Sequence, residues 1–226
     1  MDGTLVDSEK VWEIALRELA ERAGGHLSSA ARQEMIGSSM AASMRILRED
    51  LGQPDRPEEP DVAWLNARVL ELFGKGLVWR PGALELLLAV RAAGLPTALV
   101  TATGRELVEV ALDTLGRANF DVVVSGDEVS VPKPDPEPYR LAASLLGVPI
   151  EDCVAVEDSP TGVASAVASG AAVLAVPAEL ELPPTDGVHL RTTLEGVDAD
   201  FLAGLLSREL SRPGGPDPVS RAWARP

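Results

Sequence analysis

Cysteine is almost absent from the sequence, with one residue in 226, Cys153. A single cysteine excludes an internal disulfide bond. Long apolar runs are also missing, since no stretch approaches the roughly 18 residues that a membrane span requires. The first residues, MDGTLVDSEK, have neither a basic start nor an apolar region, so no signal peptide is visible. We therefore expect a cytoplasmic protein without a membrane partner.

Basic residues are few relative to acidic ones. The chain has 20 Lys and Arg against 35 Asp and Glu, which gives a formal net charge of -15. This charge would repel a nucleic-acid backbone at long range, so we expect no nucleic-acid partner. The 46% hydrophobic, 24% charged and 4% aromatic composition lies in the globular range and excludes a disordered, collagenous or coiled-coil chain.

The pattern of apolar residues divides the chain into two parts. Between Leu27 and Phe73 the apolar residues recur with helical period, and the charged loop at 52–60 is expected to be exposed. From Arg80 onward short apolar strands alternate with helices, which is typical of βαβ units and a parallel sheet. The predicted strands are 96–100, 120–124, 153–156 and 172–176, and the predicted helices of this part include 104–115, 136–146, 160–169 and 198–210.

This alternation predicts an α/β fold with an insertion. We predict a Rossmann-like parallel-sheet core formed by residues 1–8 and 79–210. Residues 9–78 are predicted to form an inserted all-helical cap domain. Residues 211–226, rich in Pro, Gly and charge, are expected to be disordered.

Residues able to do chemistry occur at the ends of the predicted strands. Thr101 follows the strand 96–100, Lys133 lies in the loop after 120–124, and Glu157 and Asp158 follow 153–156 directly. Asp2 lies at the start of the chain, in MDGTLVDS. Ligands of an open parallel sheet bind beyond the carboxyl ends of its strands, so we expect these side chains to meet at one edge of one sheet.

These residue types indicate a metal and an anion. Adjacent Glu157 and Asp158 would repel each other in a crevice unless a cation held them. Oxygen ligands without nearby His or Cys pairs favour Mg²⁺. Lys133, the Thr101 hydroxyl and a helix N-terminus near 103–104 supply what an anion needs. A metal beside an anion site indicates phosphate chemistry.

Four segments resemble the motifs of the haloacid-dehalogenase-type phosphotransferases, especially the phosphoglycolate-phosphatase and β-phosphoglucomutase branch. MDGTLVDS is similar to the first motif, DxDGT with a following LxDS, and ALVTATG is similar to the second. Lys133-Pro134, with Tyr139 downstream, resembles the third, and VAVEDSPTGVASAVASGA resembles the fourth. A lone DGT would be weak, but four motifs in order over about residues 1–176 are highly specific.

The resemblance implies roles for three carboxylates. Asp2 is the general acid and base that protonates the leaving alcohol and then activates water, while its backbone carbonyl binds Mg²⁺. Asp158 binds Mg²⁺ directly. Glu157 is either a further ligand or acts through water from outside the ligand shell.

The resemblance also implies the groups that hold the substrate. Thr101 and the N–H of Ala102 hold phosphoryl oxygens, and Lys133 neutralises the phosphate. Gly37, in the segment MIGSS, lies in the part of the cap that meets the substrate in this family. The implied partner is a small phosphorylated metabolite, and the oligomeric state is left open.

The nucleophile implied by the resemblance is the first Asp of DxDGT, whose position falls immediately before Met1. We expect an apolar strand ending in this Asp upstream of Met1, because the start is assigned too late or the sequence is truncated. The implied function is a Mg²⁺-dependent phosphatase that hydrolyses a small phosphate monoester, such as a sugar phosphate or phosphoglycolate, through an aspartyl-phosphate. A sugar-phosphate mutase and a catalytically dead phosphate-binding protein remain alternatives.

Each motif also has a purely structural interpretation. Asp2-Gly3-Thr4 alone would be a turn, and Thr101 could cap the following helix. Lys133, between prolines, could be a solvated loop residue. Glu157 and Asp158 could be charges placed at a helix N-terminus.

Overall fold

The structure, a computed structural model, describes residues 1–35 and 40–210. Gly37 with the rest of 36–39 and the predicted disordered tail 211–226 lie outside the described residues. None of the helices in the described part is long and apolar enough to cross a membrane.

The first elements are helical, as the apolar period predicts. They are α1 (Glu9–Arg22), α2 (Ser29–Met35), α3 (Met40–Asp50) and α4 (Glu59–Phe73). Helix α1 packs against α4. Leu16 and Leu19 of α1 and Leu65 and Val69 of α4 recur at spacings of three and four residues, so each helix presents one buried apolar stripe. All four helices fall within the predicted cap 9–78, whose domain boundaries stay a prediction.

Strands and helices alternate in the rest of the described chain. The elements are α5 (Ala83–Ala92), β1 (Ala98–Val100), α6 (Arg105–Leu115), β2 (Val122–Val124), α7 (Glu137–Leu146), β3 (Val154–Glu157), α8 (Pro160–Ser169), β4 (Ala172–Ala175), β5 (Val188–Leu190) and α9 (Ala199–Leu210). The four predicted strands are present with ends shifted by one or two residues. Strand β5 was missed, because three residues after a proline-containing stretch are too short to give a periodic signal.

In the described part of the chain, all pairs of the named strands are parallel, which confirms the predicted sheet type, and the isolated bridge between Val6 and Trp79 is antiparallel. Strand β1 pairs with β2, and β4 lies between β3 and β5. The expectation of one continuous sheet is wrong for the described residues. Strand β1 pairs only with β2 and β3 pairs only with β4, so no hydrogen bonds join β1 to β3. A cavity of about 410 Å³ is lined by both strands and by α5, α7 and α9. Its apolar walls include Leu87, Val90, Leu99, Ala142, Ala155 and Leu202.

The loop at 52–60 is held at several points rather than simply solvated. The Arg56 guanidinium donates to both carboxylate oxygens of Asp61, at 2.5 and 2.9 Å, and Gln53 Nε2 donates to the Ala23 carbonyl at 3.0 Å. Asp61 is only 5% exposed. The expected exposure of this loop therefore holds only for part of it.

Arg56→Met is expected to destabilise the chain, because it leaves the buried Asp61 carboxylate without its two charged donors. Leaving such a group unpaired costs about 1–3 kcal/mol, which urea denaturation would measure. Arg45→Met is the matched control, since Arg45 pairs with Glu49 on an exposed helix face. Equal stabilities of the two variants would contradict the role assigned to Arg56.

Candidate functional site

The first loop folds back on itself and fixes Asp2. The amides of Leu5 and Val6 donate to the Met1 carbonyl at 2.8 and 3.2 Å, and the Gly3 amide donates to the Val6 carbonyl at 2.9 Å. Gly3 has a φ of +66°, a conformation that glycine adopts without a steric penalty. The turn interpretation of this segment is therefore correct as local structure, and the turn also positions the Asp2 carboxylate.

One oxygen of Asp2 is held by two threonines. Asp2 Oδ2 accepts from Thr103 Oγ1 at 2.7 Å and from Thr101 Oγ1 at 3.4 Å. Thr101 follows β1 directly and is buried, and its hydroxyl also accepts from the Thr103 amide at 3.1 Å. Thr101 therefore makes a side-chain contact with the backbone just before α6, in line with the capping interpretation, and it also contacts Asp2. The other oxygen, Asp2 Oδ1, is buried and has no hydrogen-bond partner in the described part of the chain.

Lys133 forms a buried triad with Glu157 and Tyr139. Its ammonium donates to Glu157 Oε1, to the carbonyl of Val100 at 3.2 Å and to Tyr139 Oη at 3.3 Å, and Tyr139 donates to the same Glu157 oxygen. The Lys133 and Glu157 side chains are 9% and 6% exposed, so the interpretation of Lys133 as a solvated loop residue is wrong. Burial, together with the Glu157 carboxylate, raises the pKa of Tyr139 well above its ordinary value.

Asp158 lies against the first loop. Thr4 Oγ1 donates to Asp158 Oδ1 at 2.5 Å, and a Cβ on Gly3 would overlap Asp158 Oδ2, so this approach requires glycine. Burial raises the pKa of Asp158 above its ordinary value. The Thr4 hydroxyl opposes this rise, and the carboxylates of Glu157 and Asp2 add to it. A carboxylate in these surroundings is stabilised by any cation that binds beside it.

The start of α8 brings Glu157 and Asp158 to this place. Ser159 caps the helix, accepting from the Gly162 amide at 3.1 Å. A Cβ on Gly162 would overlap the Glu157 carboxylate, so the small residue leaves room for that side chain to reach Lys133. Glu157 therefore forms a buried ion pair with Lys133, so its interpretation as only a charge at a helix N-terminus is incomplete.

A single cleft of about 580 Å³ joins these residues. The sequence-predicted residues on its wall are Asp2, Thr101, Ala102, Lys133, Glu157 and Asp158. The wall also carries residues that sequence reasoning does not single out, among them Glu9, Arg32 and Thr103. The sequence marks Thr103 only as part of a helix start, although its Thr-x-Thr spacing from Thr101 is a signal for a second hydroxyl at this place. Gly37 is outside the described residues.

The carboxylates of the cleft fit the needs of Mg²⁺ in part. Asp158 lines the cleft, and because burial raises its pKa, a cation beside it would stabilise the ionised carboxylate. Among the described residues, no three His, Cys, Asp or Glu side chains are arranged as a metal site. Mg²⁺ commonly takes one or two protein ligands and completes its shell with water and phosphate oxygens, a need that the Asp158 carboxylate and the Asp2 backbone carbonyl implied by the resemblance would meet. The engagement of Glu157 by Lys133 favours a position outside the ligand shell.

Comparison with known proteins agrees with this arrangement of motifs. The chain is 33% identical over 195 residues to hexitol phosphatase A of Escherichia coli, covering 84% of this chain and 86% of that protein. It is 34% identical over 178 residues to a phosphorylated carbohydrates phosphatase of Thermotoga maritima, covering 75% and 79%. The crystal structure of CbbY from Rhodobacter sphaeroides in complex with phosphate superposes with a TM-score of 0.76 at 28% identity, covering 90% and 96%.

The family model of haloacid dehalogenase-like hydrolases matches residues 1–170, which include the first three motifs and all but the last residue of the fourth. The fold, the order of the motifs and the relatives therefore agree with the resemblance. The chain belongs to the haloacid dehalogenase-like hydrolases.

Proposed function

We propose that this protein is a Mg²⁺-dependent phosphatase that hydrolyses small phosphate monoesters of the sugar or polyol class. The observation that carries the proposal is the meeting of Asp2, Thr101, Lys133 and Asp158 in one cleft from four separate stretches of the chain. The relatives named as phosphatases of hexitols and carbohydrates support the substrate class.

The charges of the cleft support the need for a cation. Three carboxylates, Asp2, Glu157 and Asp158, are set against the Lys133 ammonium on the core side of the cleft. A phosphate dianion would be repelled by this excess of negative charge. Mg²⁺ held by the Asp2 backbone carbonyl and the Asp158 carboxylate would supply positive charge for the phosphate oxygens.

The chain's own residues can bind the phosphate and move the proton. Lys133, held in place by Glu157 and Tyr139, contributes a fixed ammonium. Asp2, held through Oδ2 by Thr103, presents its unpartnered Oδ1 as the atom that gives a proton to the leaving alcohol and later takes one from water.

We place the nucleophile in a segment N-terminal to Met1. Its carboxylate would attack phosphorus while the ester P–O bond breaks and Asp2 protonates the departing oxygen. Water, deprotonated by Asp2, would then attack phosphorus and release phosphate as the acyl-phosphate P–O bond breaks. What supports this placement is the apolar cavity between β1 and β3, which Met1 also lines and which suits an extended apolar strand.

The test is phosphate release by the chain extended with its upstream codons. We expect turnover of hexitol and hexose monophosphates, with loss of activity when EDTA removes Mg²⁺. Isomerisation of glucose 1-phosphate without phosphate release would instead identify a mutase. Upstream codons that encode no apolar run ending in Asp, together with ligand binding but no turnover, would identify a phosphate-binding protein without catalysis.

A further inference from the structure

A buried arginine on the helical side of the cleft has no role in the phosphate chemistry described above. Arg32 of α2 is 8% exposed and lines the cleft together with Asp2 and Asp158. Its Nη2 donates to Glu9 Oε2 at 3.0 Å and lies 3.6 Å from Glu179 Oε2. Arg32 Nε is buried and has no partner among the described residues. Unpartnered buried donors are rare in folded proteins, so this N–H indicates a ligand oxygen.

The charges around Arg32 restrict what that ligand can be. One guanidinium faces two carboxylates, Glu9 and Glu179. Burial raises the pKa of Glu9 and the Glu179 carboxylate raises it further, while Arg32 opposes the rise. A further negative charge beside Glu9 would therefore be unfavourable. A second phosphate on the substrate would meet this repulsion. A neutral hydroxyl would not, and it can accept from Arg32 while donating to Glu9.

We propose that Arg32 and Glu9 form a polyol subsite that binds hydroxyl groups of a sugar or hexitol monophosphate and disfavours a bisphosphate. The subsite deepens the proposed function and rests on it for the nature of its ligand. Apolar side chains on the same wall, Trp12 and Leu107 among them, can pack against the carbon chain that carries the hydroxyls.

A purely structural role for Arg32 makes a different prediction. If Arg32 only bridged Glu9 and Glu179, a lysine could keep the ion pair, and ligand affinity would not change. Arg32→Lys keeps the positive charge but removes Nε and the planar guanidinium. Arg48→Lys is the matched control, because Arg48 pairs with Glu58 in the same helical part of the chain.

The experiment measures binding by calorimetry to the 226-residue chain with Mg²⁺. The probes are sorbitol 6-phosphate, phenyl phosphate, which has no hydroxyl groups beyond its phosphate, and fructose 1,6-bisphosphate. We expect sorbitol 6-phosphate to bind about tenfold more tightly than phenyl phosphate, and Arg32→Lys to remove most of that ratio. Glu9→Gln should improve binding of the bisphosphate relative to sorbitol 6-phosphate, and Arg48→Lys should leave both ratios unchanged.

Three results would overturn the subsite. The first is that the unmodified chain binds sorbitol 6-phosphate and phenyl phosphate with nearly equal affinity. The second is that Arg32→Lys loses the same factor of affinity for both monophosphates. The third is that fructose 1,6-bisphosphate binds as tightly as sorbitol 6-phosphate. Phosphate release by the extended chain is measured separately. If the extended chain releases phosphate but the affinities for sorbitol 6-phosphate and phenyl phosphate are nearly equal, only the subsite is overturned. If the difference of about tenfold in affinity is present but no phosphate is released, only the phosphatase proposal is overturned.

Discussion

Asp158→Asn is expected to lower Mg²⁺-dependent phosphate release by the upstream-extended enzyme by about 10³-fold or more, without loss of folded stability. The amide cannot supply the negative charge that holds the cation. It does retain an oxygen that can accept from Thr4, so the contact with the first loop survives. A residue required for activity but not for folding is a residue of the reaction site.

The stability of this variant has an expected pH dependence. Because the pKa of Asp158 is raised in the folded state, its ionised form is disfavoured there, and the Asn variant should be at least as stable as the unmodified chain at pH 7 without Mg²⁺. That advantage should vanish as the pH falls through the pKa of Asp158, since the unmodified carboxyl is then protonated. Added Mg²⁺ should raise the thermal midpoint of the unmodified chain and not that of the variant.

Asp55→Asn is the control for both measurements, because Asp55 is exposed in the loop at 52–60. We expect it to change neither activity nor the response to Mg²⁺. Full activity of Asp158→Asn would contradict the ligand role. A fall in stability at pH 7 in metal-free buffer would show that Asp158 is instead a structural carboxylate.

The sequence was sufficient to predict that polar residues at strand ends line a common cleft. Apolar runs such as Val154-Ala155-Val156 locate a buried strand, and the polar residues directly after it must then lie at its carboxyl end. Thr101 and Asp158 line the cleft for this reason, whereas Lys133 reaches it from a loop beyond β2 and Asp2 follows no strand in the described residues. For Thr101 and Asp158 the prediction needed only local patterns and one general rule about parallel sheets.

The contacts that could not be predicted join distant residues without a local pattern. Arg32 lies 23 positions from Glu9, and nothing in the segment SAARQEM distinguishes a buried arginine from a solvated one. Likewise, no local pattern predicts that Lys133 is paired with Glu157, because their contact depends on how α8 packs.

Lys133→Met is expected to lower both stability and activity, and a second substitution can separate the two effects. Without the ammonium, the Glu157 carboxylate stays buried with Tyr139 as its remaining donor. Removing one partner of a buried ion pair costs about 3–5 kcal/mol, which for a chain of this length lowers the thermal midpoint by about 6–20 °C. Lys75→Met, which removes an exposed pair with Glu71, should have no comparable effect.

The double variant Lys133→Met/Glu157→Gln is expected to recover most of the lost stability, since no buried charge then lacks a partner. Its phosphate release, measured in the extended enzyme, should remain at least about 10²-fold below that of the unmodified enzyme, because the cleft has lost its fixed cation for the phosphate. If activity returned with stability, the Lys133 charge would serve only to balance Glu157. If Glu157→Gln alone keeps its activity, persistent inactivity in a stable double variant would show that the Lys133 ammonium acts on the substrate, although Glu157 already neutralises it in the folded protein.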